Sequence, residues 1–79
     1  MISVCQIKAA RGLLGWSALD LANKSGVGVA TIRRYEMQSG IPDANSSVLK
    51  KIRACFETNR VEFTGDPLVN PGVTLHIKQ

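Results

Sequence analysis

Seventy-nine residues, 44% of them apolar, suit one small folded domain and are too apolar for a disordered chain. No apolar run approaches the roughly 18–20 residues a membrane-spanning helix needs, and the N-terminus lacks the basic start, long apolar stretch and cleavage site of a secretory signal, so a soluble cytoplasmic protein is expected. The formal net charge is +4, and residues 1–56 hold eight basic groups against three acidic ones, a balance of +5 that favours polyanions, nucleic acid first among them.

Ile7, Ala10 and Leu14 recur on one helical face, which predicts a first helix over residues 4–14 stopped by Gly15. A second helix starts behind Ser17, a good N-cap, with Asp20 three residues on in a capping-box arrangement. Trp16 and Leu21 have the spacing of a hydrophobic staple, Leu19, Leu21 and Ala22 are expected to face inward, and the helix should end near Ser25 with Gly26 in a left-handed turn. The third helix is expected over 29–38, with Val29, Ile32 and Tyr35 or Glu36 on one face and Gly40 just past its end. A fourth, beginning at Asn45 or Ser46 and continuing to about Thr58, carries the apolar stripe Val48, Leu49, Ile52, Cys55 and Phe56, with Lys50, Lys51 and Arg53 mostly outside it.

The period then falls from 3.6 to 2. In "RVEFT" Val61 and Phe63 alternate with Glu62 and Thr64; in "VTLHIK" Val73, Leu75 and Ile77 alternate with Thr74, His76 and Lys78. Two antiparallel strands joined by the loop "GDPLVNPG" are expected. An isolated hairpin is marginal in water, so the face made by Val61, Phe63, Val73, Leu75 and Ile77 must pack on the helices or on another subunit. These five residues are the expected dimerisation element of a homodimer. The chain thus divides into a helical part, 1–58, and a hairpin, 59–79, of one compact unit.

Cys5 and Cys55 belong to no Cys-x-x-Cys pair and read as two reduced, partly buried thiols. The scattered Cys5, Cys55 and His76 make no metal site, and "GLLGWS" and "SGVGVAT" lack the lysine and spacing of a phosphate loop. No enzyme activity, metal or cofactor is expected.

The second helix, the Gly26 turn and the basic third helix make a helix-turn-helix outline. Ala22 is small where two helices cross, Gly26 reverses the backbone, and Ile32 and Tyr35 anchor the later helix. With "QIKAARGLLG" before it, the run "WSALDLANKSGVGVATIRRYE" resembles the Cro/repressor-type (XRE, lambda-repressor-like) helix-turn-helix proteins over about residues 5–56.

The resemblance implies a mainly α, four-helix lambda-repressor-like domain, here with a C-terminal β-hairpin, that acts as a sequence-specific double-stranded DNA-binding regulator of repressor type, commonly dimeric. It makes the third helix the recognition helix in the major groove. Gly28, Val29, Ala30 and Thr31 then lie at its leading end, Arg34 pairs with guanine, and Arg33 reaches phosphate or a flanking base. Ser17 and Ala18 fall near a phosphate at the start of the second helix. Arg11 and Glu36 match a structural ion pair between the first and third helices. Ala18 stands where the family often has Gln, and Val29 and Ala30 replace frequent polar readers, so base reading is expected to rest on methyl contacts and Arg34. The alternative reading is a protein-interaction or antitoxin-like module that reuses the same fold.

Overall fold

The computed structural model describes residues 1–77. Its elements are α1 (Val4–Leu14), α2 (Ala18–Ser25), α3 (Val29–Glu36), α4 (Ser46–Thr58), β1 (Val61–Thr64) and β2 (Gly72–Leu75). The chain is mainly helical, with four helices and one antiparallel hairpin.

Each helix start is fixed by local chemistry. At α1 the Ser3 hydroxyl accepts from the Gln6 amide at 3.4 Å and the Gln6 Oε1 accepts from the Ser3 amide at 3.0 Å, a reciprocal cap. Ser17 and Asp20 repeat the device at α2, at 3.0 and 2.9 Å. Asn45 caps α4, its Oδ1 accepting from the Ser47 amide at 2.9 Å. Gly28 precedes α3 with no side-chain cap bond. Gly26, at φ 78°, makes the left-handed turn between α2 and α3, and its amide donates to the Ala22 carbonyl.

Helix α3 is two residues shorter than the expected 29–38. Its last turn tightens, with the Gln38 amide on the Tyr35 carbonyl at 3.1 Å, and the Gln38 side chain turns to accept from the Asp43 amide at 2.7 Å. Met37, not Gly40, marks the helix end; Gly40, at φ 67°, lies in the loop, where its carbonyl accepts from the Val4 amide at 2.8 Å.

One core draws on all four helices and β1: Ile2, Ile7, Ala10, Leu21, Ala22, Val27, Ile32, Tyr35, Leu49, Ile52, Phe56 and Val61 are buried together. Phe56 is its aromatic centre, stacked on Trp16 at a centroid distance of 5.8 Å and edge-on to Phe63 at 6.0 Å. Leu19 departs from expectation. Two residues along a helix are about 200° apart, so Leu19 points away from buried Leu21 and is 51% exposed.

The hairpin pairs Val61 with Leu75 and Phe63 with Val73. Val61 is buried at 2% exposure, and Phe63, Val73 and Leu75 pack against the core of their own chain. The strands are shorter than the alternation suggested: His76 and Ile77 follow β2, and Lys78 lies outside the described residues. Even so, the His76 amide donates to the Arg60 carbonyl at 2.9 Å, and its Nε2 lies 2.7 Å from the Glu62 carboxylate. In the loop Asp66 Oδ1 accepts from the amides of Leu68 and Val69. Gly65 is held at φ 73°, where a Cβ would strike the Asn70 carbonyl. Both cysteines are free; Cys55 is half-buried, as read, but Cys5 is exposed on the first turn of α1.

Candidate nucleic-acid interface

The geometry of α3 follows from its periodicity. Ile32 and Tyr35 are three apart, both buried, and they fix the helix on the core. Gly28, Ala30, Arg33 and Arg34 are exposed, while Val29 and Thr31 are half-buried at the edge of the same surface. The leading end of α3 therefore presents methyl groups, one hydroxyl and backbone N–H groups without a side-chain cap. The guanidinium of Arg34 lies 5.6 Å from the Tyr35 ring centroid, a cation–π contact that limits its wandering.

The frame behind this surface is an ion pair. Arg11 donates from Nε to Glu36 Oε2 and from Nη2 to Oε1, both at 2.7 Å, and from Nη1 to the Trp16 carbonyl at 2.9 Å. Two parallel charge-assisted bonds lock α1 to the end of α3, while the third fixes the α1–α2 turn. The hydrogen bond to Glu36 raises the Arg11 pKa above its ordinary value, against a smaller desolvation effect.

At the start of α2, Ser17 is exposed and Ala18 half-buried against the core. This helix end already holds an anion of its own. Asp20 accepts from the Ser17 amide, and that backbone bond, with the Ser17 hydroxyl bond second, lowers its pKa. A phosphate arriving here meets a carboxylate as well as the helix dipole, and like charges oppose.

A family model described as helix-turn-helix matches residues 7–63, well over half of the chain. The chain belongs to the Cro/repressor-type helix-turn-helix family. Neither the curated proteins nor the solved structures gave a match. Membership makes this helix-turn-helix protein a DNA-binding regulator in general terms. Among the described residues no cluster of three or more His, Cys, Asp or Glu could hold a metal, and no helix is long and apolar enough to cross a membrane.

The sequence reading missed two residues that hold this scaffold. Gln6, 2% exposed, caps α1 and also donates from Nε2 to the carbonyls of Thr64 at 3.3 Å and Gly72 at 3.1 Å, fastening the hairpin to α1. The signal for its capping role was present as Ser-x-x-Gln; its hairpin contacts span more than 50 positions and leave no local trace. Lys24 was the second: its ammonium lies 5.3 Å from the Trp16 ring centroid, across α2.

Proposed function

We propose that this helix-turn-helix protein is a sequence-specific, repressor-type regulator that reads the DNA major groove with α3. The observation that carries the reading is the pair Arg33 and Arg34, exposed side by side on a helix whose other face is buried through Ile32 and Tyr35. In this reading Arg34 pairs with a guanine edge, and Val29, Ala30 and Thr31 supply methyl contacts and a hydroxyl. Arg33 meets phosphate, as do the amides at Gly28 and Val29. Ser17 and Ala18 make at most a backbone contact, because Asp20 repels the same phosphate.

The hairpin is proposed as part of a homodimer contact. Its face is largely turned to its own helices, so the partner would meet the strand edge, the exposed parts of Phe63, Val73 and Leu75, and Ile77, which is 69% exposed. Two recognition helices would then stand about 34–36 Å apart, one turn of DNA. Selection from random duplexes followed by sequencing tests both parts. A symmetric site with half-sites about one turn apart is expected; a pool with no enriched sequence would overturn the specific reading.

A second reading, a protein-interaction or antitoxin-like module, draws on a different observation. Met37, Leu68 and Val69 are all exposed, and Leu68 lies beside Gly40 in the loop that follows α3. A gel shift with random duplex at low and high salt separates the two, since absence of salt-sensitive binding favours the module.

A further inference from the structure

A cavity of about 290 Å³ opens between the segment before α1 and the first turns of α4, lined by Met1, Ile2, Ser46, Leu49, Lys50 and Arg53. Its floor is apolar: Ile2 and Leu49 are buried core residues, and the exposed side chain of Met1 flanks them. Two of its lining residues are basic. Lys50 is exposed on α4, and Arg53 stands one turn further along the same helix. No acidic residue lines the cavity. Glu57 engages Arg53 only from outside it, at the Nε–H and 3.0 Å, and a guanidinium has further N–H donors beyond that one. The Phe63 ring, 5.6 Å away, steadies the guanidinium. Ser46 opens α4, so the positive end of the helix dipole adds to the same field.

We infer that this cavity binds a small amphipathic carboxylate, with its apolar tail on Met1 and Leu49 and its charge beside Lys50 and Arg53. Two observations fix that class. The volume sits at the small end of ligand pockets, which run from roughly 300 to 1,000 Å³. An apolar floor flanked by Lys50 and by an Arg53 that gives only one N–H to Glu57, with no acid among the lining residues, complements an anion attached to a short hydrocarbon and neither a cation nor a fully polar anion. Its residues are distinct from those assigned to DNA on α3, so the inference holds whether or not α3 reads DNA.

The test titrates the isotopically labelled intact chain with octanoate, octanol and acetate, and follows backbone amide shifts. Octanoate should move the amides of Ile2, Ser46, Leu49, Lys50 and Arg53 in a saturable way. Octanol, which lacks the charge, should bind about tenfold more weakly. Acetate, which lacks the tail, should give no saturable shift. Lys50→Gln, an exposed change that leaves the core intact, should weaken octanoate about fivefold while its spectrum otherwise overlays that of the wild type. Equal binding of octanol and octanoate would overturn the inference. So would shifts centred on the exposed Met37, Leu68 and Val69 instead of the cavity, or octanoate binding unchanged in Lys50→Gln.

Discussion

Arg33 and Arg34 are adjacent in sequence but differ in support. Arg34 rests against the ring of Tyr35, which is itself held in the core, whereas Arg33 has no such described contact. A partly ordered guanidinium loses less entropy on forming two bonds to one base. Arg34→Ala is therefore expected to cost roughly 1–3 kcal/mol of specific binding and to relax one base preference, read by titration against a panel of substituted sites. Arg33→Ala should instead weaken all duplexes alike and lower the salt slope by about 1. Asp20 supplies a prediction about pH. Its bonds to Ser17 depress its pKa in the fold, so its contribution is fully present above the ordinary carboxylate value of about 4 and is lost as pH falls through the lower folded value. Asp20→Asn should flatten that part of the acid limb in a pH series of thermal melts. It should also tighten non-specific duplex binding by removing a negative charge from the start of α2.

At the scale of elements, the sequence displayed what is local. The extents of α1, α2 and α4 follow from periodicity and caps within a few residues of each end, and these are the elements whose boundaries matched. What a distant segment decides was not legible. The end of α3 depends on where the Gln38 side chain finds a donor, and the Gly40 carbonyl depends on Val4. The exposed face of α3 could be read because Ile32 and Tyr35 set the phase of the helix. Which way the hairpin's apolar face would turn, towards its own helices or a partner's, could not, since alternation alone does not name the neighbour.

Gln6 is the clearest such case, one side chain serving a helix cap and two carbonyls of the hairpin. Gln6→Ala should destabilise the fold by about 2–3 kcal/mol in urea melts, because it leaves the buried Ser3 amide without its acceptor and the half-buried Thr64 and Gly72 carbonyls without this donor. Gln6→Glu, which keeps the acceptor for Ser3 but loses the donor, should do no better. Arg11 and Glu36 couple two helices in the same sense. Removing either partner should cost about 2 kcal/mol, and a double-mutant cycle should return a coupling that two independent surface residues would not show.

For the whole molecule, the architecture separates support from contact. The core holds α3 from behind through Ile32 and Tyr35, the Arg11–Glu36 pair fixes its end, and the hairpin packs on α1 and α4. Two arginines are left facing outward on a chain whose positive charge is concentrated in residues 1–56. The hairpin loop, residues 65–71, contributes Asp66 and no lysine or arginine, so its electrostatics suit a protein neighbour better than a phosphate backbone. The most direct measurement is fluorescence anisotropy of a labelled duplex titrated with wild type and with Arg33→Ala/Arg34→Ala at several salt concentrations, each variant first shown to melt like the parent. The expected result is a loss of affinity of about 2 kcal/mol or more with a shallower salt dependence. A double variant that binds every duplex as the parent does, with the same salt slope, would contradict the assignment of α3 as the DNA-reading helix.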